Sequence, residues 1–166
     1  MRVLGIDCGG ESTGYGVVEQ EEGGELRCLL SGAIRMSPRQ PLPLRLERVY
    51  AELGRIIEEH RPDVVAIEDV FYALNAKSAL KLGQVRGVAM LAASSQGLAV
   101  AEYAPLSIKS AVVGYGRADK SQVQHMVMAL LKLAEPPESS DAADALAIAI
   151  CHLHTDGTLR RMKGLH

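Results

Sequence analysis

The sequence predicts an α/β domain built on a five-stranded mixed sheet flanked by helices. Three short apolar segments near the N-terminus follow one another across turn residues, as strands of a hairpin series do. Two further apolar runs then alternate with segments of helical period, the pattern that lays parallel strands side by side. The remainder is helical. The 166 residues are 48% apolar, which suits one domain with one substantial core and excludes a disordered chain.

Val3-Leu4-Gly5-Ile6-Asp7 reads as a buried strand with a carboxylate at its C-terminal end. A glycine-rich turn (Cys8 to Gly14) leads to a second strand at Tyr15-Gly16-Val17-Val18. Glu21-Glu22-Gly23-Gly24 forms a hairpin loop into a third strand over Leu26–Ile34. Pro38, Pro41 and Pro43 punctuate the chain before a helix on which Leu46, Val49, Tyr50, Leu53, Ile56 and Ile57 recur at three- and four-residue steps. Arg45, Glu52, Arg55 and Glu59 fall on its other faces. Pro62 ends that helix, and Val64-Val65-Ala66-Ile67-Glu68 is a fourth strand, again closed by a carboxylate. A helix over Ala76–Ser95, a fifth strand over Leu98–Tyr103 and helices at Leu106–Val113, Lys120–Leu133 and Ser140–His154 complete the chain. There is no internal repeat or low-complexity segment.

The net charge of −2 is unevenly distributed. Residues 1–70 carry 8 basic and 13 acidic groups, residues 71–132 carry 7 and 2, and residues 133–166 carry 3 and 5. A basic middle between acidic ends suits a protein that holds metal with carboxylates and a polyanion with lysines, although ordinary surface scatter gives the same totals. Cys8, Cys28 and Cys151 are odd in number and lack C-x-x-C spacing, which disfavours a disulfide framework or a zinc knuckle. Of the five histidines only His152 and His154 are closely spaced, and their place at a helix end suggests a surface role. Met1-Arg2 leads directly into the first strand with no signal-like stretch, so a cytoplasmic location is expected.

Four acids carry the chemistry. Asp7 and Glu68 end apolar strands, where an unpartnered carboxylate costs several kcal/mol to desolvate. If those strands are parallel neighbours, both acids emerge at the sheet edge where open α/β folds place their sites. Asp141 and Asp144 are three apart on a helix that is otherwise Ala142, Ala143, Ala145, Leu146, Ala147, Ile148, Ala149 and Ile150. Each has a structural alternative: Asp7 as a turn former, Glu68 as a lysine partner, Asp141 as an N-cap with Asp144 in a capping arrangement. Their joint placement points instead to a divalent-metal site. All-oxygen ligands suit Mg²⁺, or Mn²⁺, rather than zinc. Two ions roughly 3.5–4 Å apart are the arrangement that hydrolyses phosphodiesters in line.

The chain resembles the RuvC family of Holliday junction resolvases from its first strand to its last helix. The matching segments are Gly5-Ile6-Asp7 with Gly14-Tyr15-Gly16, Ala66-Ile67-Glu68-Asp69-Val70-Phe71, Ser78-Ala79-Leu80-Lys81-Leu82-Gly83-Gln84, Lys120-Ser121-Gln122-Val123-Gln124-His125-Met126, and Asp141-Ala142-Ala143-Asp144-Ala145-Leu146-Ala147. The resemblance implies an RNase H-like fold, a homodimer and Mg²⁺-dependent symmetric nicking of four-way DNA junctions in recombination and repair. It gives metal-ligand roles to Asp7, Glu68, Asp141 and Asp144, places supporting lysines at Lys109 and Lys120, and puts a junction-contacting aromatic at Phe71. It also implies a link to the RuvA–RuvB branch-migration machinery and a preference for cutting near TT steps. The nuclease domain is expected over residues 1–157, with residues 158–166 a fraying basic tail.

The residues themselves leave some of these roles open. Phe71, beside Tyr72, suits either a base-stacking wedge or simple packing. Lys109 and Lys120 flank a polar glycine-bearing loop and suit phosphate contact or solvent exposure alike. Lys77, Lys81 and Arg117 join them as candidate DNA contacts. Gly83 and Gly87 permit close approach of another backbone, either a dimer partner or the sheet. Cys8 stands where the family usually has proline. A nucleotide-binding protein of the same superfamily is the main competing class, but Glu135-Pro136-Pro137-Glu138-Ser139-Ser140 offers no second phosphate-binding turn. An idle junction-binding module would not need all four acids, and an RNase H-like nuclease acting on other substrates remains the nearest alternative.

Overall fold

A computed structural model describes residues 1–69 and 75–163. Its order is β1 (Arg2–Asp7), β2 (Ser12–Gln20), β3 (Leu26–Arg35), α1 (Leu42–His60), β4 (Val64–Glu68), α2 (Ala76–Ser95), β5 (Ala99–Tyr103), α3 (Pro105–Val113), α4 (Lys120–Leu130) and α5 (Ser140–Lys163). The sheet runs β3-β2-β1-β4-β5. The first three strands are antiparallel hairpin partners, whereas β1–β4 and β4–β5 are parallel. This is the five-stranded mixed sheet that the apolar pattern predicts. In-register pairing of Ile6 with Ile67 brings the C-terminal ends of β1 and β4 to one edge.

Alternation of side chains across the sheet builds two cores. Leu4, Ile6, Val17, Val65 and Ile67 face α1 and α2, packing on Val49, Leu53, Ile56, Val85 and Ala89. Val3, Val18, Val64 and Ala66 face α5, with α3 and α4 closing the same layer through Ile108, Val112, Val123 and Val127. Helix α5 lies unusually low on the sheet because glycine forms the surface beneath it. A Cβ at Gly5 would stand 2.0 Å from the Ala145 carbonyl oxygen, and one at Gly14 would stand 2.0 Å from that of Asp141. Gly5 and Gly16 are cross-strand partners, as are Asp7 and Gly14, so the contact is a continuous trough. Ala142, Ala145 and Ala149 complete it from the helix side, all fully buried.

Several boundaries differ from expectation for identifiable reasons. Helix α4 stops at Leu130 rather than Leu133, where the chain turns and Lys132 takes a left-handed φ of 50°. Helix α5 does not end at His154: it runs to Lys163, so the basic segment expected to fray from residue 158 is helical that far. Thr155 and Thr158 hydroxyls donate to the Cys151 and His154 carbonyls and sit within the helix rather than ending it. Arg45, expected on a polar face, is 8% exposed, and its Nη1 donates to the Gly10 carbonyl at 3.4 Å. Tyr50, expected in the apolar stripe, is exposed and bonds Ser95 through its hydroxyl. His152 and His154 are not surface groups: they meet the Tyr103 hydroxyl and the Ala111 carbonyl at 2.8 Å, tying α5 to β5 and α3. Among the described residues no helix is long and apolar enough to cross a membrane.

Candidate metal centre

The carboxylates of Asp7, Asp141 and Asp144 each offer an oxygen within 4.8 Å of the others. Asp7 comes from the end of β1, and the glycine trough sets the first turn of α5 directly above it. The capping alternative for Asp141 does not hold, because the Ser139 hydroxyl accepts the Ala142 N–H and so takes the cap role. Asp141 and Asp144 are therefore the half-exposed interruptions of a buried helix face, both turned to the sheet edge. Glu68 stands outside this triad but lines the same cleft from the adjacent strand. With Asp7, Asp144, Lys109, Lys120 and Ile108 it bounds a cavity of about 210 Å³.

The electrostatics show how short of positive charge this cleft is. Burial, then repulsion from Asp144, Glu68 and Asp141, pushes the Asp7 carboxyl up to about 7. Burial and the nearby Asp144 charge also raise Glu68, against the opposing pull of Lys109 and Lys120. Lys120 donates to Asp144 Oδ2 at 2.7 Å, which raises its own pKa. One ammonium in contact with one carboxylate leaves the other acids mutually repelling. Three converging carboxylates, joined by no histidine or cysteine among the described residues, fit a hard divalent cation.

Lys109 lines the cleft from α3, and Lys120 reaches it from the first turn of α4, where Asp119 and Gln122 form a reciprocal cap. Lys77, Lys81 and Arg117 are exposed and do not line the cleft. Phe71 and Tyr72 lie outside the described residues. Glycines 83 and 87 do not pack on the sheet: among the described residues, a Cβ at either would meet nothing within 4 Å. Sequence reasoning missed Gly5, Gly14 and Gly16 as the residues that lower α5 into place. Their signal is present as alternate glycines on paired strands, opposite a helix spaced with alanines. It also missed Arg86, whose Nε donates to the Glu68 carbonyl at 3.3 Å. A single arginine on a long helix carries no pattern that identifies its target.

The family model described as crossover junction endodeoxyribonuclease RuvC matches residues 3–152. The RuvC protein of Koribacter versatilis is 63% identical, with 98% of each chain covered. That of a Geobacter species is 50% identical, with 99% of each covered. Among solved structures, Thermus thermophilus RuvC superposes with a TM-score of 0.89 at 36% identity, covering 95% of this chain and 96% of that one. The same protein in complex with a Holliday junction substrate gives 0.88 at 34% identity, covering 95% and 96%. The yeast mitochondrial resolvase Ydc2 shares the fold at a TM-score of 0.74 and 16% identity, covering 98% of this chain and 82% of that one. By sequence and by fold, this chain belongs to the RuvC family of crossover junction endodeoxyribonucleases.

Proposed function

We propose that this protein resolves four-way DNA junctions by Mg²⁺-dependent hydrolysis of one phosphodiester in each of two opposed strands. The observation that carries the reading is the meeting of Asp7, Asp141 and Asp144 beside Glu68 in a cleft that also holds Lys109 and Lys120. Support for the branched substrate comes from the 0.88 match to Thermus thermophilus RuvC in complex with a Holliday junction.

In this reading Asp7, Glu68, Asp141 and Asp144 hold two Mg²⁺ ions, with Mn²⁺ able to replace them. When bound, such ions polarise the phosphodiester, lower the pKa of the attacking water and stabilise the leaving oxygen. The protein's own groups prepare that chemistry. Raised carboxyls at Asp7 and Glu68 release their protons as cation charge arrives, so the site loads more readily as pH rises through the Asp7 value of about 7. Lys120, already beside Asp144, and Lys109, on the Glu68 side, supply fixed positive charge for the phosphorane-like transition state. Lys77, Lys81 and Arg117 serve as outlying phosphate contacts, and Phe71 with Tyr72 as the group that meets unstacked bases.

Paired cuts need paired sites, and a homodimer provides them. On α2, Leu80 (68% exposed) and Leu91 (58%) flank the open Gly83 and Gly87 at helical spacing. This is a face suited to a second copy of the same helix. Association with a RuvA–RuvB branch-migration complex, a cytoplasmic location and a nuclease domain over residues 1–157 belong to the same proposal.

The test is a labelled synthetic four-way junction incubated with protein and Mg²⁺, beside a linear duplex of the same sequence and an Asp7→Asn variant. Paired symmetric nicks in the junction alone, absent from the variant, are expected. Equal cutting of linear duplex, or nicking that survives Asp7→Asn, overturns the proposal.

A further inference from the structure

The end of β4 is clamped from an element that contributes nothing to the metal cleft. Arg86 sits on α2 next to Val85, whose burial with Ala89, Ala92 and Ala93 fixes the helix on the sheet. Its guanidinium reaches over the strand ends. Nε donates to the Glu68 carbonyl at 3.3 Å, and Nη2 donates to Asp69 Oδ1 at 3.5 Å and to the Glu102 carboxylate. The strands beneath are held in register there, with Glu68 opposite Tyr103 and the Asp69 N–H bonded to the Tyr103 carbonyl at 2.8 Å.

We infer that Arg86 is a positioning residue for the cleavage reaction: it fixes the backbone at Glu68, and hence the place of that carboxylate in the site, while neutralising Asp69 and Glu102 beside it. Three features carry the inference. Among the described residues, Arg86 is the one side chain that hydrogen-bonds Glu68. Its planar fork makes bonds in several fixed directions at once, which a lysine ammonium does not reproduce. Two further carboxylates, Asp69 and Glu102, stand just behind the acidic cleft, and Arg86 is in ion-pair contact with both. The Arg86 side chain is 20% exposed and its bond to the Glu68 carbonyl is partly buried, whereas the Asp69 and Glu102 carboxylates are 36% and 43% exposed and those pairs are screened by solvent. Partners that orient a ligating carboxylate typically govern metal affinity or activity by about 10–100-fold when removed.

The inference rests on the reading of Glu68 as a metal ligand, and the experiment separates the two. Arg86→Met, Arg86→Lys, Glu102→Gln and Glu68→Gln proteins are compared with the parent by three measurements. These are Mn²⁺ titration calorimetry without DNA, junction nicking over a range of junction concentrations, and thermal melting. Arg86→Met is expected to weaken Mn²⁺ binding and to lower kcat by about 10–100-fold, with the KM for the junction within about twofold. Arg86→Lys is expected to recover part of the loss. Glu102→Gln leaves the bond to the Glu68 carbonyl in place and is expected to stay near the parent in both. The inference is overturned if Arg86→Met binds Mn²⁺ and nicks like the parent while Glu68→Gln does not. It is also overturned if the Arg86→Met losses track a fall in melting temperature that Arg86→Lys shares. If Glu68→Gln itself leaves Mn²⁺ binding and nicking intact, the ligand role of Glu68 fails first.

Discussion

Replacing Asp7 with asparagine is expected to stabilise the metal-free protein at neutral and alkaline pH. The carboxyl moves from 3.8 to about 7 on folding, first through burial and then through repulsion by Asp144, Glu68 and Asp141. Because the folded state holds this proton up to about pH 7 while the unfolded chain releases it near 3.8, the folded state binds more protons across that window. Stability therefore falls as pH rises through it. Integrating between the two values gives a penalty of under about 1 kcal/mol at pH 4, growing to roughly 4 kcal/mol at pH 8. Asparagine removes the charge and keeps the shape. For a domain of this size each kcal/mol is worth about 2–4 °C, so Asp7→Asn should melt about 8–16 °C above the parent at pH 8 in EDTA. The difference should shrink toward zero at pH 4. Added Mg²⁺ should raise the parent and leave the variant almost unmoved, since binding stabilises only a protein that retains the ligand. Paired thermal melts at pH 4, 6 and 8, with and without Mg²⁺, read all of this. A variant less stable than the parent at pH 8 in EDTA, or a gap independent of pH, would refute the reasoning.

The remaining expectations concern the neighbours of that acid. Gly14→Ala drives a Cβ to 2.0 Å from the Asp141 carbonyl oxygen, so α5 must lift. A stability loss of about 1–3 kcal/mol by denaturant titration, together with nicking reduced far more than the melting shift explains, is expected. Lys120→Met removes the ammonium at 2.7 Å from Asp144. Nicking should fall by about 10²–10³-fold while Mn²⁺ binding by calorimetry is undiminished, because a competing cation has gone. Thr13→Val replaces a fully buried hydroxyl that has no hydrogen-bond partner among the described residues. It should be neutral or stabilising by about 1 kcal/mol in denaturant melts, with nicking unchanged.

The sequence is most informative where one short pattern decides one element. Apolar runs closed by Asp7 and Glu68 mark both the strands and the edge at which their acids emerge, because a charge ends a buried strand whatever surrounds it. The three-residue step from Asp141 to Asp144 on an alanine-rich helix is equally direct. Other features depend on partners distant in the chain. Ser139, not Asp141, takes the cap, a choice between adjacent polar residues made by loop geometry. Arg45 is buried because the Gly10 turn folds back to it, and no periodicity in α1 foretells that. The histidines near the end of α5 read as surface groups until β5 and α3 are packed against them. Arg86 finds three partners at and just beyond the ends of two strands, which only the assembled sheet brings together.

The sheet order has a consequence for when the protein becomes dangerous to DNA. The first acid of the proposed metal site is made at residue 7 and the last at residue 144, and they meet through a strand inserted beside β1 and a helix laid into its glycine trough. A chain emerging from the ribosome, or one cut short before α5, presents Asp7 and Glu68 on a sheet with half its second core missing. Such long-range closure is slow relative to local helix formation, so the site is completed at the end of folding rather than during it. On the proposed ligand set, truncated or half-folded copies lack a complete site. On that proposal, strand cutting begins only once the whole fold is in place.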